Sequence, residues 1–299
     1  MADIVHLKTI AELNRAMRQS APNHPLVSVI DFTKVEESFA KGTRISTDFY
    51  SIMFKNYCSN KIKYGRQLYD FQEGHLICIA PKHVVVFDDE NDNRDDKMGW
   101  GLFFHPDLIR GSALGSKMND YSYFSYDTSE ALHLSEKEKQ TLYDCVLNIK
   151  NELQENIDDY SQRLIISNID LFLNYCSRYY GRQFITRKNA NHDTVTQIEN
   201  LLQEYFSKEN TKLPTVKYLA ERVHLSPSYL SDLLRKETGM NAQGHIHYIL
   251  INEAKNKLLS TNKSVSEIAY SLGFYYPPYF SKLFKQKTGK TPVEYRNIN

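Results

Sequence analysis

Two segments near the C-terminus carry hydroxyl and cationic side chains at helical spacing. These side chains are Ser228, Ser231, Arg235 and Lys236 in the first segment, and Ser281, Lys282 and Lys285 in the second. Residues three or four positions apart lie on the same face of a helix. Each segment can therefore present a polar, basic surface that donates hydrogen bonds and pairs with anions. What such a surface binds depends on the elements that position it.

Both segments belong to an imperfect internal repeat. The first copy is Val216–Gly239 and the second is Val265–Gly289. The aligned pairs are Ala220 with Ala269, Leu230 with Phe280, Leu234 with Phe284, and Gly239 with Gly289, and the second turn is one residue longer. Each copy predicts a helix, a turn and a second helix that buries an apolar stripe and exposes the polar surface.

Capping residues mark the ends of the predicted helices. Ser226-Pro227 places an N-cap serine before a proline at the first helical position, and Pro277-Pro278 opens the second helix of the other copy. Ser264 and Glu267 form a capping box for the first helix of that copy. The glycine that closes each copy terminates the second helix.

One helix, Ala242–Leu259, is predicted between the copies. Its length is about 27 Å at 1.5 Å per residue. Half-sites one turn of DNA apart are separated by about 34 Å, and helix-turn-helix units insert their second helix into the major groove. The sequence therefore predicts two helix-turn-helix units that a single chain presents to successive major grooves.

Charge is divided unevenly along the chain. Residues 211–299 contain 13 Lys and Arg against 6 Asp and Glu, a net charge of +7, whereas the whole chain carries +1. The preceding residues therefore carry −6. A basic C-terminal segment on an acidic body is typical of a nucleic-acid-binding module attached to another domain, although variation in surface charge also produces such a difference.

The second copy and its flanks resemble a known family. The residues are Ile268-Ala269, Leu272-Gly273-Phe274, Tyr279-Phe280-Ser281, Phe284-Lys285, Thr288-Gly289, Thr291-Pro292 and Tyr295-Arg296. Together they closely resemble the AraC/XylS-type transcription regulators. Leu219-Ala220 and Leu225–Leu230 look like the first unit of that family, and Ala254-Lys255 looks like its linker helix. The resemblance covers about 90 residues and implies a regulator that binds double-stranded DNA.

The resemblance also implies which side chains contact DNA. Base-edge contacts map to Ser228, Ser231 and Asp232 in the first unit, and to Pro277, Pro278, Ser281 and Lys282 in the second. The set is completed by Tyr229, Arg235, Lys236, Tyr276, Tyr279 and Lys285. Asp232 would repel phosphate but can accept a hydrogen bond from cytosine N4. Because the two prolines lack side-chain donors, Tyr276 and Tyr279 are expected to supply packing or phosphate contacts.

The N-terminal part has a different pattern. Short apolar runs separated by turns predict strands over residues 27–104, and two long helices follow, the first opened by the capping box Ser135–Glu138 and the second over 158–180. The overall fold class is α+β. The resemblance implies an N-terminal cupin-like β-barrel with appended helices, and a C-terminal all-α domain with two helix-turn-helix units joined by a linker helix.

The polar stretch 178–191 suggests a boundary between domains 1–190 and 191–299. In the family, the first domain often binds a small-molecule effector and dimerises. An effector and a homodimer are therefore expectations for this chain. The apolar face of helix 158–180 fits a dimer contact, but it fits packing on the barrel of the same chain equally well.

Two alternatives remain open at this stage. In a metal-dependent cupin enzyme with a helical accessory domain, His75, His83 and His105 would converge on the metal. The HxH pair His245 and His247 lies in the linker helix, where residues two apart face different sides. In a protein-interaction module, the C-terminal helices would dock partners without salt-dependent DNA affinity.

Other features favour a cytoplasmic protein that is not an enzyme and has no cofactor or metal. Cys58, Cys78, Cys145 and Cys176 form no CxxC pair, as expected of free thiols in a reducing compartment. The acidic segment Asp88–Asp96 fits a solvated loop better than a cation site. The N-terminus lacks the apolar core of a signal peptide, and no stretch approaches the 18 apolar residues of a membrane span.

Overall fold

The computed structural model describes residues 4–35, 39–40, 42–55, 74–86, 99–155, 158, 160–208 and 212–297. The chain divides into two compact units, Met1–Thr186 and Arg187–Asn299. The acidic segment 88–96 and Cys58 lie outside the described residues. In the described ranges, no helix combines the length and the apolar composition that crossing a membrane requires.

The first unit contains eight described strands. They are β1 (Ile4–Leu7), β2 (Val27–Asp31), β3 (Arg44–Thr47), β4 (Tyr50–Lys55), β5 (His75–Ile79), β6 (Val84–Val86), β7 (Gly99–Phe104) and β8 (Leu132–His133). One sheet has the order β2-β7-β4-β5-β8 and is antiparallel throughout; the other has the order β1-β3-β6, with β1 and β3 parallel. A short helix, α1 (Ile10–Ala16), follows β1.

The predicted closed barrel is not what these strands form. Among the described residues, β2 and β8 are the edges of the five-stranded sheet, and β1 and β6 are the edges of the smaller one. One face of the larger sheet is covered by helices, since Trp100 on β7 contacts Phe172 in an edge-to-face arrangement at 5.9 Å. Its other face, with Ile30 and Phe103, packs against Leu7 and Ile10. The first unit is therefore layered: helices, a five-stranded sheet, and a three-stranded sheet with α1.

Four helices follow β7: α2 (Pro106–Ile109) and α3 (Ala113–Lys117) precede β8, and α4 (Glu136–Glu152) and α5 (Ser161–Thr186) come after it. The capping box predicted at the start of α4 is confirmed, because Ser135 Oγ accepts from the Glu138 N–H and Glu138 accepts from the Ser135 N–H. The guanidinium group of Arg182 on α5 donates two hydrogen bonds to the Glu138 carboxylate, at 2.8 and 3.0 Å. This bidentate pair fastens α4 to α5.

Helix α5 continues beyond its predicted end near Tyr180. Its last turns are held by Gln183, whose amide oxygen accepts from the His133 N–H at 2.9 Å and whose amide nitrogen donates to the Ala131 carbonyl at 3.2 Å. Phe184 is buried beside it. These contacts to a distant part of the chain keep a polar sequence helical.

The second unit is entirely helical in its described part. Its helices are α6 (Lys188–Ser207), α7 (Val216–Arg222), α8 (Pro227–Thr238), α9 (Ala242–Ser260), α10 (Val265–Ser271), α11 (Pro277–Thr288) and α12 (Pro292–Arg296). We call α7–α8 the first helical pair and α10–α11 the second. Helix α9, predicted between the repeats, packs against α6, α8, α10 and α12. Both pairs therefore rest on one shared helix.

The two helical pairs repeat the same local geometry. In each, the first helix has 7 residues and the second has 12. The Leu225 N–H donates to the Ala220 carbonyl, and the Phe274 N–H donates to the Ala269 carbonyl, both at 3.0 Å. The closing glycines, predicted from the sequence, have φ angles of 78° and 79°. The extra residue predicted in the second turn is present, because that turn spans 272–276 and the first spans 223–226.

The repeat extends past the glycines into the helix that follows. The hydroxyl groups of Thr238 and Thr288 both donate to the carbonyl four residues earlier, at 2.7 and 2.8 Å. Asn241 then caps α9, and Thr291 caps α12. Helix α12 is thus the counterpart of the start of α9. Its Arg296 donates to the carbonyl of Leu258, in the last turn of α9, and to that of Lys263, in the segment that follows. A cation at the C-terminal end of a helix is favoured by the helix dipole.

Gly273, in the turn of the second pair, lies against the chain segment before α7. Its φ is +91°, and a methyl group there would approach the carbonyl oxygen of Lys212 to 2.4 Å. The same carbonyl accepts a hydrogen bond from the Tyr205 hydroxyl at 2.9 Å. Only a glycine satisfies both the left-handed backbone and this close approach.

We expect Gly273→Ala to lower the free energy of unfolding by about 2–5 kcal/mol, because it adds a backbone clash to the left-handed penalty. Gly239→Ala is the matched control: its φ is +78°, but nothing lies within 4 Å of the added methyl group. It should cost about 1–2 kcal/mol. Urea unfolding followed by far-ultraviolet circular dichroism measures both. Equal losses would show that the contact with Lys212 contributes nothing.

Candidate nucleic-acid interface

In the first helical pair, α8 begins at a buried N-cap residue, Ser226. Ser226 accepts a hydrogen bond from the Tyr229 N–H at 3.2 Å, and Pro227 occupies the first helical position. Leu230 and Leu234 point into the core, with no more than 2% of their surface exposed. The helix is thereby fixed with Ser228 on its partly exposed side.

Two of the six candidate residues of α8 are engaged in contacts within their own unit. Tyr229 is only 1% exposed, and its hydroxyl lies 3.5 Å from the Arg187 guanidinium. Ser231 accepts a hydrogen bond from the Ala242 N–H at 3.2 Å, at the start of α9. These side chains hold α8 against its neighbours, so the exposed face is smaller than the sequence pattern predicts.

The three charged candidates of α8, Asp232, Arg235 and Lys236, form its charged surface. Arg235 lies 3.4 Å from the carboxylate of Asp232, with 61% of the arginine side chain exposed. Lys236 is exposed beside it. An ion pair this exposed contributes little to stability. Its main consequence is that Asp232 adds negative charge on the side from which a phosphate would approach Arg235.

The second helical pair presents a different surface. Phe280 and Phe284 are fully buried, whereas Tyr276 and Tyr279 are 56% and 68% exposed. The two tyrosine rings meet edge to face, with centroids 5.6 Å apart. Pro277 and Ser281 are half-buried, and Pro278, Lys282 and Lys285 are exposed. All seven candidates of α11 and its cap are thus at least partly accessible.

Tyr275 was missed by the sequence analysis and is the most accessible aromatic residue described, with 94% of its surface exposed. It lies in the turn that is one residue longer than its counterpart. The length difference is visible in the sequence, but the direction of the additional side chain is not. Together, Tyr275, Tyr276 and Tyr279 form what we call the tyrosine patch.

The two histidines of the linker helix face different neighbours. His245 is buried, with Nε2 3.7 Å from Glu199 on α6. Burial lowers the pKa of His245, and the nearby carboxylate opposes this only in part. His247 lies within 2.9 Å of Gln243, and burial together with the Lys287 cation on α11 lowers its pKa. The pair does not form a joint metal site.

The histidines of the first unit are also separated. His75 is in register with Lys55, which is in register with Gly99, whereas His105 follows the opposite end of β7, about 20 Å along the sheet. Burial and the Lys55 cation lower the pKa of His75 to about 4. His105 caps α2 by accepting from the Asp107 N–H. In the described part of the chain, no three His, Cys, Asp or Glu side chains group as metal ligands.

Comparison with known proteins identifies the domain that carries the two pairs. Residues 219–298 match the family model described as a helix-turn-helix domain. The bifunctional transcriptional activator/DNA repair enzyme AdaA of Bacillus subtilis is 35% identical over 100 residues, covering 33% of this chain and 47% of that protein. The HTH-type transcriptional regulator YisR of the same organism is 39% identical over 97 residues, covering 32% of each.

A solved structure is also similar over this part of the chain. It is the C-terminal domain of AraT, a response regulator from Geobacillus stearothermophilus, with 31% identity and a TM-score of 0.32, covering 36% of this chain and 85% of that one. The matches span about half the length of the curated relatives, or less. They coincide with the repeat, α9 and α12. The C-terminal part of the chain is therefore a helix-turn-helix domain of the AraC type, as its sequence predicted.

Proposed function

We propose that the chain is a sequence-specific transcription regulator that binds double-stranded DNA through two helix-turn-helix units, one in each helical pair. The observation that carries the proposal is the pair of matching helical pairs on one shared helix, each with exposed cations on its second helix. A single pair of this kind is a common packing motif. Two copies joined by α9 offer two surfaces with the same backbone geometry to one elongated ligand.

The dimensions support simultaneous contact with successive major grooves. Helix α9 has 19 residues, a length of about 28 Å. Adjacent half-sites lie about 34 Å apart on DNA. Since α9 packs against α8 of the first pair and against α10 of the second, α8 and α11 would enter grooves about one helical turn apart.

The charge distribution supports a polyanionic ligand. The +7 of residues 211–299 gives a salt-dependent affinity, because each neutralised phosphate releases counterions. The protein-interaction alternative gives no such dependence. The cupin enzyme alternative loses support, because His75 and His105 lie at opposite ends of the sheet.

The exposed cations suggest a division between base contacts and phosphate contacts. Lys282 lies in the second turn of α11, and no ion pair to it is found among the described residues. Arg235 lies in the last turn of α8, next to Asp232. Since the N-terminal half of a recognition helix meets base edges, Lys282 is suited to a base contact and Arg235 to a phosphate.

We expect Lys282→Ala to weaken binding to the preferred duplex by about tenfold and to leave binding to random duplexes nearly unchanged. Arg235→Ala should weaken both alike and reduce the slope of log K against log salt by about 1. Fluorescence anisotropy with a duplex selected from a randomised library, at several salt concentrations, measures both effects. If both variants lost affinity for the preferred and the random duplexes to the same extent, the assignment of Lys282 to a base and Arg235 to a phosphate would be contradicted.

The proposal extends to the first unit through the family resemblance. Residues 1–190 would bind a small-molecule effector in a cupin-like fold and form a homodimer, and residues 191–299 would bind DNA in the cytoplasm. Free thiols at Cys78, Cys145 and Cys176 fit a reducing compartment. Equilibrium dialysis of candidate small molecules against the full chain tests the effector.

The dimer contact cannot use most of the apolar face of α5. Ile169, Phe172 and Leu173 are fully buried within their own unit. The exposed apolar side chains of α5 include Leu164 and Leu171, which are 48% and 47% exposed. They lie seven residues apart on one side of the helix. We therefore propose this outer stripe as the dimer contact; of the apolar face predicted from the sequence it retains only Leu164 and adds Leu171.

We expect the double variant Leu164→Glu/Leu171→Glu to convert a dimer into a monomer at micromolar concentration, because paired glutamates across a symmetric contact repel. Light scattering measures the mass. Leu259→Glu is the control: it is 46% exposed and lies in the second unit, so the dimer should persist. A monomeric parent protein would contradict the contact.

A further inference from the structure

The tyrosine patch is unusual for the start of a helix that enters a DNA groove. Pro277 and Pro278 have no backbone N–H, and the next N–H, that of Tyr279, donates to the Tyr276 carbonyl at 3.0 Å. The first three residues of α11 therefore leave no backbone donor for an anion. Tyr276 caps the helix without any side-chain hydrogen bond.

The exposed surface at this end consists of rings. Tyr275, Tyr276 and Tyr279 are 94%, 56% and 68% exposed, and the ring of Pro278 is exposed between them. Side-chain hydrogen bonding is confined to the phenol hydroxyls at the tips. The first copy differs, because Ser228 occupies the corresponding turn of α8 with a hydroxyl group close to the backbone.

The neighbouring charges indicate what covers these rings. Lys282 and Lys285 follow on the same helix and are exposed, as is Lys287. An apolar patch bordered by cations complements a surface that is apolar in places and polyanionic at its edge. The major groove of DNA has this character at thymine, whose C5-methyl group is the apolar feature of its floor, with phosphates on either side.

We infer that the second helical pair recognises its half-site mainly through apolar contact of the tyrosine patch with thymine methyl groups, whereas the first pair relies on hydrogen bonds. The inference rests on the proposed function, since it assigns specificity to a DNA surface. Tyr276 and Tyr279 are the specificity-determining residues for this apolar contact, and they act alongside the base contact proposed for Lys282. Pro277 and Pro278 contribute by removing competing donors and fixing the start of the helix.

The test removes only the methyl groups. A duplex enriched from a randomised library by the full chain is synthesised with deoxyuridine in place of thymine, in one half-site at a time. Base pairing and all hydrogen-bonding edges are retained. Deoxyuridine in the half-site bound by the second helical pair should lower the affinity of the protein for the duplex by about fourfold for each methyl group removed from the contact. Deoxyuridine in the other half-site should change the affinity by less than about twofold.

Variants connect this effect to the patch. In Tyr276→Ser/Tyr279→Ser, the affinities for the thymine and deoxyuridine duplexes should become equal. Tyr270→Ser is the matched control, because Tyr270 is 56% exposed but lies on α10, and it should retain the difference. These substitutions are on the surface, so the fold is retained.

The outcomes distinguish a failure of the thymine-methyl contact from a failure of sequence-specific DNA binding. Selective binding with equal affinity for thymine and deoxyuridine overturns this inference alone, as does a methyl dependence that the double variant retains. That second result would assign the patch to another partner, such as a protein. A library from which no duplex is enriched would contradict the proposed function, and the inference with it.

Discussion

The second unit depends on one buried helix that both helical pairs share. Helix α9 buries Ile246, Leu250, Ala254 and Leu258, and it packs against helices of both pairs. In its last turn the Leu258 carbonyl accepts a hydrogen bond from Arg296 of α12. Because close-packed interiors transmit displacement rather than absorb it, the spacing of α8 and α11 follows from the packing on α9. The two surfaces are thus held together by the core.

The two copies share a backbone plan but differ in chemistry, and the difference begins in the turn. The first turn places His224 at a φ of +56°, and the second uses Gly273 at +91°. The glycine lets the second turn approach Lys212 closely. The additional residue then raises Tyr275 into solvent. A one-residue insertion therefore changes the exposed side chains while the buried stripe stays in register.

Local signals in the sequence were sufficient to predict the helices of the second unit. The features that could not be predicted depend on contacts between segments that are distant in the sequence. Caps such as Ser264 and the closing glycines act within one turn, so they could be identified from the sequence and are confirmed. The inward position of Tyr229 depends on Arg187, 42 residues away in the sequence. The extension of α5 depends on Gln183 binding a segment 50 residues earlier. Open sheet edges likewise reflect pairing that alternation alone does not specify.

The basic residues of the two second helices do not all have the same explanation. Arg235 and Lys236 lie in the last turn of α8, and Lys285 and Lys287 in the last turn of α11. Cations there also stabilise a helix through its dipole, so their presence alone is weak support for an anionic ligand. Lys282 lies outside the last turn and gains nothing from this effect. Its charge on an exposed face, next to the tyrosine patch, therefore supports DNA contact more directly than the total charge does.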